Sequence, residues 1–398
     1  MRCRLLCFVL LTCAWNSANA QENLKDLLES AWTRAVSARA AEGRIAEADA
    51  NRVQADSLFA GSPAVGLSTR SDRFNENRGM DEHEVALSAP IWLPGQRTAR
   101  GELVDAETAE ASARFNAARL ELAGKLRERI WALVGAESEY EHAQLHADAA
   151  KQLEADTLRR VKVGDLARTD ALLASQEALN AMVEVQVAKR ARAEAAAKLQ
   201  VLTGNARLPH AYTESDVPAP PLEVHPRILA ARLAGERAQR RVRLRSASRS
   251  DAPEVALSHR WERNTDDFSH ERSIGLSVRI PIGTAARNRP LDAAAQTEVA
   301  TTAAEERAVI DEVQAEMQSA EAAAAAADEQ VALLEARYAA AKERADLLNK
   351  SFQMGELSLA EQLRARSAAG AAGLARERAY AERGLARARL NQARGILP

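Results

Sequence analysis

Few residues of this chain have the type and spacing to support chemistry. His142 and His146 stand four apart on a stretch that reads as helix, so one face could offer two imidazoles to a metal ion. Only Glu139 and Glu141 lie near enough in sequence to complete such a site, and the pattern favours a solvated helix face instead. His259 and His270 flank a loop further along. Two carboxylates, Asp170 and Glu361, each lie six residues past a glycine (Gly164 and Gly355) that interrupts a helical pattern. Ser358 and Glu361 have capping-box spacing, whereas Ala167 offers Asp170 no such partner. For both acids a helix N-terminus is an explanation that needs no ligand. The sequence contains no G-x-S-x-G, H-E-x-x-H, P-loop or glycine-rich dinucleotide turn. It is therefore read as a non-enzyme, with no cofactor and no metal site.

The elements that would hold these residues begin with an export signal. Arg2 and Arg4 precede the apolar run Leu5–Leu11, and Ala18-Asn19-Ala20 has the form of a cleavage site before Gln21. Residues 1–20 are read as a removed signal, because the run is well short of the roughly 18 residues that span a bilayer. Cys3, Cys7 and Cys13 all fall inside it, so the exported chain carries no thiol. Acylation at Cys13 is the competing reading, disfavoured by Thr12 where a small residue is usual. Leaving Arg2 and Arg4 out of the 54 basic residues sets 52 against 56 acidic ones, a mild negative charge that argues against nucleic acid as a partner. Aromatics are only 4% of the chain, so helices packed through alanine are expected rather than an aromatic core.

Proline placement outlines the helices. None of the twelve prolines falls between Gln96 and Leu208 or between Leu291 and Leu397. Since proline inside a helix costs roughly 3 kcal/mol, helices are predicted over about 22–60, 96–162, 168–204, 224–250, 287–352 and 357–396. Two regions alternate apolar and polar residues instead. They predict strands over about 63–74 and 81–92, and again over 253–264 and 270–282, each pair a hairpin. The hairpins lie about 190 residues apart, as do Pro90-Ile91 and Pro281-Ile282, and Gly164-Asp165-Leu166 and Gly355-Glu356-Leu357. Several matches at one offset make an internal repeat, with copies at 21–208 and 227–398 and a proline-rich linker at 209–226.

The lengths constrain the assembly. Each long helix would measure roughly 100 Å, and the two shorter helices of each copy sum to a similar length. Each copy is expected to be one long rod beside two half-length rods set end to end. Four strands cannot close a membrane barrel, because open edges cannot face lipid, but three chains would supply twelve. Val65, Leu67, Val85, Leu87, Ala89 and Ile91 are expected to face lipid, with Val255, Leu257, Ile274, Leu276, Val278 and Ile280. Trp92, Trp261, Phe74 and Phe268, near strand ends, would suit an aromatic girdle.

With these residues in place, the mature chain resembles the TolC-type outer-membrane efflux proteins, the exit ducts of Gram-negative tripartite pumps. The likeness rests on the twofold repeat and on the exit Pro90-Ile91-Trp92-Leu93-Pro94-Gly95-Gln96-Arg97 from the first hairpin. It rests also on the paired turns Arg160–Leu166 and Phe352–Leu357. The exit stretch, with Arg287-Asn288-Arg289, looks most like the cobalt–zinc–cadmium resistance branch. The resemblance implies a mainly α fold with a small β part, and a homotrimer. Its twelve-strand outer-membrane barrel would continue into a periplasmic helical barrel. The partners implied are a periplasmic adaptor, an inner-membrane pump and outer-membrane lipid. Val163, Gly164, Asp165, Leu166, Met354, Gly355, Glu356 and Leu357 would then be adaptor-docking tips, and Asp170 and Glu361 would line the periplasmic aperture. The rival reading, a periplasmic coiled-coil adaptor, would need a separate β-rich domain with a compact core.

Overall fold

The computed structural model describes residues 23–74, 78–263 and 269–398. The signal segment with its cysteines, the polar hairpin tips at 75–77 and 264–267, and Phe268 lie outside the described residues. Seven α-helices dominate: α1 (Leu24–Arg34), α2 (Val36–Asp56), α3 (Gln96–Lys162), α4 (Arg168–Thr203), α5 (Pro226–Ala247), α6 (Ala285–Gln353) and α7 (Leu359–Ala393). Four strands accompany them: β1 (Ala64–Ser71), β2 (Asp81–Pro90), β3 (Glu254–Arg263) and β4 (His270–Arg279). No described helix is long and apolar enough to cross a membrane.

Two helix boundaries differ from the proline-based expectation. The first helix is two, because Ala35 is extended (φ −73°, ψ 135°). No proline or glycine marks that break. Its cause is tertiary: α1 turns Leu24, Leu27, Leu28, Ala31 and Trp32 into a core with α3 and α4, and Trp32 meets Phe115 edge-on at 4.9 Å. At α6 the helix begins at Ala285, two residues ahead of the expected start. Thr284 caps it by accepting from the Arg287 N–H, and Pro290 sits inside. One helical hydrogen bond, to the Ala286 carbonyl, is forgone there.

The rods lie side by side. Along its strand-proximal half α3 packs on α2 and α5, and along its distal half on α4 and α7; α6 packs only on α5 and α7. The half-length rods α5 and α7 therefore serve both long helices. The arginines of α5 are ion-paired sideways. Arg237 reaches Glu110 of α3 at 2.6 Å and Glu298 of α6 at 3.0 Å. Arg240 reaches Glu102 at 2.8 Å, and Arg227 reaches Glu316 at 2.7 Å.

The α3–α7 contact has a different chemistry. Two of its contacts lie eleven residues apart on both helices, Trp131 and His142 on α3 falling over Gly384 and Gly373 on α7, and His146 falls over Gly370. A Cβ on Gly384 would overlap the Trp131 ring, and one on Gly373 would lie 3.0 Å from His142 Cε1. Glycine inside a helix costs roughly 1 kcal/mol, and here it admits a ring from the neighbouring rod. Eleven residues in three turns is 3.67 per turn, close to a straight helix, so the two rods stay in register over a long contact.

Between α4 and α5 the chain is pinned by a buried polar hub. Arg127, 2% exposed, donates to both oxygens of Glu214 (2.7 and 2.6 Å), to Gln392 Oε1 (2.6 Å) and to the Ile396 carbonyl (3.0 Å). Asn391 Nδ2 donates to Glu214 at 3.1 Å. The proline-rich stretch is thus tied into the middle of the rods by Glu214.

The strands form a single antiparallel sheet in the order β1-β2-β3-β4, the two hairpins joined through β2 and β3. β1 and β4 are open edges.

Candidate functional site: the glycine turns and the exposed strand face

At the far end of the rods from the sheet, α3 turns into α4 and α6 into α7. Both turns have one geometry. Gly164 (φ +90°) and Gly355 (φ +81°) adopt the left-handed conformation that a side chain resists. The Asp165 N–H returns to the Arg160 carbonyl at 2.9 Å, and the Glu356 N–H to the Ser351 carbonyl at 3.0 Å. Each turn therefore satisfies the last carbonyls of its long helix with a Schellman pair.

The apolar turn residues divide into two groups. Val163 (75% exposed) and Met354 (67%) point into solvent. Leu166 and Leu357 are half-buried against a shared cluster of Leu153, Ala174, Phe352, Leu359 and Leu363. That cluster fastens one turn to the other, with Arg160 stacked 5.0 Å over the Phe352 ring. Sequence reasoning had not singled out Phe352, Leu359 or Leu363, although Leu359 and Leu363 carry the i, i+4 signal of a helix face.

The two carboxylates exchange their expected roles. Asp170, which has no hydroxyl partner at Ala167, reaches back to accept from the Ala167 N–H at 3.2 Å. At the other turn, Ser358 Oγ accepts from the Glu361 N–H at 3.3 Å, and the Glu361 side chain is exposed. Asp170 is thus a capping group.

The histidine pair also departs from expectation. His142 and His146 face α7 rather than solvent, as the glycine contacts show. Burial pushes the His142 pKa down, only partly offset by its hydrogen bond to the Gly370 backbone. His146 Nδ1 lies 3.4 Å from Glu184 of α4. No group of three or more His, Cys, Asp or Glu among the described residues could hold a metal ion.

At the sheet the register places every expected lipid-facing strand residue on one face. Val65, Leu87, Leu257 and Leu276 form one row across the four strands. Leu67, Val85, His259 and Ile274 form the next, and Ala89, Val255 and Val278 another. Ile91 and Ile280 continue just beyond the strand ends and are exposed. Three strands end sooner than expected, at Ser71, Pro90 and Arg279. No apolar side chain of the sheet is buried; its one buried residue is Glu82. Of the expected girdle, Trp261 lies on the apolar face and Phe74 is exposed beside the first turn. Trp92 is instead tied to the end of α2, its Nε1 donating to the Ser57 carbonyl at 3.1 Å.

No family model matches the sequence, and no curated protein matches it significantly. Solved structures do match. VceC, an outer membrane protein of Vibrio cholerae, superposes with a TM-score of 0.74 at 18% identity, covering 94% of this chain and 96% of VceC. The fold is that of the TolC-type channels. The Campylobacter jejuni CmeC outer membrane channel gives a TM-score of 0.75 at 16% identity, over 94% of this chain and 86% of its own. The open state of the Neisseria gonorrhoeae MtrE outer membrane channel gives 0.72 at 18% identity, over 94% and 89%. These matches run nearly end to end, so they embrace the sheet and both turns as well as the rods.

Proposed function

We propose that three copies of this chain form an outer-membrane duct that passively conducts substrate out of the cell. The observation that carries the reading is the sheet: four strands with one contiguous apolar face, no apolar core and two open edges. Such an object is stable in lipid only when its edges are closed, and three copies supply twelve strands, an even number in the range of bacterial barrels. The rods, about 100 Å long, continue the duct into the periplasm, and Val163 and Met354 at their far end meet a periplasmic adaptor that links it to an inner-membrane pump. Glu361 stands at the entrance, where a ring of carboxylates would favour cations. The adaptor alternative loses support because the strands build no separate compact domain.

Membrane fractionation tests this reading. Detergent extraction of a trimer from the outer membrane is the expected result, and recovery as a soluble periplasmic monomer would sink it. For cargo, the likeness of the strand exit to the cobalt–zinc–cadmium branch makes those cations the first to screen. Deleting the gene should sensitise cells to zinc, cobalt or cadmium, and unchanged tolerance would remove that assignment.

A further inference from the structure

The two faces of the sheet share their acidic residues unequally. Glu82, Glu84, Glu254, Glu262 and Glu271 all share the face opposite the apolar rows, as the pairing register requires. Arg70, Arg260 and Arg279 share that face and are paired there: Arg260 meets Glu82 at 3.1 Å and Glu84 at 3.0 Å. Arg70 meets Glu82 at 3.6 Å, and Arg279 meets Glu254 at 3.8 Å.

The apolar face carries the opposite set at its far end. Beyond Leu67, Val85 and Ile274 the next row is Thr69, His83, Trp261 and Arg272, followed by Ser71, Asp81, Arg263 and His270. His259 lies on this face too, its ring tilted at 58° against Trp261 with centroids 4.3 Å apart. All three histidines of the strands and two arginines thus stand on the apolar side, with Asp81 as the sole acid. His83 bridges Thr69 Oγ1 at 3.1 Å and Asp81 at 3.3 Å. Arg272 and His270 are exposed.

We infer that this belt of arginine, imidazole and indole, continuous with the lipid-facing rows, binds the phosphate groups of outer-leaflet glycolipid headgroups. The inference rests on the barrel reading, which places the strand ends remote from the rods at the outer leaflet. Three arguments select the ligand. The belt begins where the apolar rows stop, which is the depth of a headgroup. Its charge is complementary to phosphate, with which guanidinium groups form strong charge-assisted hydrogen bonds. Its indole suits the interface between hydrocarbon and water. A face designed only to meet hydrocarbon would gain nothing from paired arginines and three imidazoles.

The test uses full-length trimer purified in detergent, with ligand retention followed by native mass spectrometry. The probes are bisphosphorylated lipid A, the same glycolipid with its phosphates removed, and phosphatidylglycerol. Bisphosphorylated glycolipid should bind more tightly than either of the others. Arg272→Gln should weaken it about 5-fold and Arg263→Gln with Arg272→Gln about 25-fold, at about 1 kcal/mol for each cation near a charged headgroup. Arg70→Gln, on the other face, should leave binding unchanged. Equal affinity for the dephosphorylated glycolipid, equal affinity for phosphatidylglycerol, or an equal loss in Arg70→Gln would each overturn the inference. A trimer without that preference removes the belt alone, whereas a soluble monomer removes the barrel reading and the belt with it.

Discussion

α3 and α6 are nearly equal in length, 67 and 69 residues, yet they live in different surroundings. Eighteen residues of α3 are buried, among them Leu103, Leu120, Leu126, Ile130 and the charged Arg127. Only six of α6 are, and three of those are Ala295, Thr302 and Ala327. α3 is flanked by helices along both halves and on both sides, while α6 touches only α5 and α7. A rod of about 100 Å with one flank covered is half of an interface. The comparison teaches that α3 is held within the protomer along its whole length, whereas α6 keeps one flank uncovered.

The comparison can be broken most forcefully at Arg127. Arg127→Met leaves Glu214 buried and unpaired, so the protomer should lose about 3–5 kcal/mol, measured by chemical denaturation of the full chain. A loss below 1 kcal/mol would show that α3 is not the keystone. Next comes Gly384→Val, which drives a side chain into the Trp131 ring and should cost about 2–3 kcal/mol. Gly355→Ala and Gly164→Ala have open space around the new methyl group, so each pays only for its left-handed backbone, about 1–2 kcal/mol. Equal costs are expected at the two turns, because their geometry is the same although their long helices differ.

Acidification probes the α3 side further. Burial lowers the pKa of both His142 and His225, so the unfolded chain takes up protons before the folded one does. Their contribution is complete above the unfolded value of about 6.5 and is lost as pH falls below it toward the folded values. The melting temperature should therefore drop between about pH 7 and pH 5, and His142→Gln should shrink the drop. The smallest effect on folding is expected on α6. Leu333→Gln and Leu347→Gln alter side chains that are 73% and 56% exposed, and should change protomer stability by no more than about 0.5 kcal/mol. The trimer fraction in native gels should nevertheless fall. Unchanged trimer would mean that this flank of α6 is not the assembly face.

Much of this was legible in the sequence because proline, glycine and period-two alternation are local signals. The long helices, the hairpins and the left-handed glycines follow from them. The apolar face of the sheet was also readable in advance, since alternation alone puts Val65 with Leu67 and Leu257 with Val255, but the register that aligns the strands was not. What was not legible depends on the neighbour. The break at Ala35 has no local cause, and the arginines of α5 look solvated until α3 and α6 bring glutamates to them. His142 and His146 looked like an exposed pair because the glycines that receive them lie more than two hundred residues away, at Gly370 and Gly373. Asp170 shows the same limit in reverse: its capping bond goes to a backbone N–H, which no side-chain motif announces.

The paired ring-on-glycine contacts between α3 and α7 also act as a ruler on how such a chain can change length. An insertion in α3 alone would carry Trp131 and His142 off their glycines, and so would one in α7 alone. The length of this contact can therefore change only by compensated steps in both rods, at about 1.5 Å for each residue added.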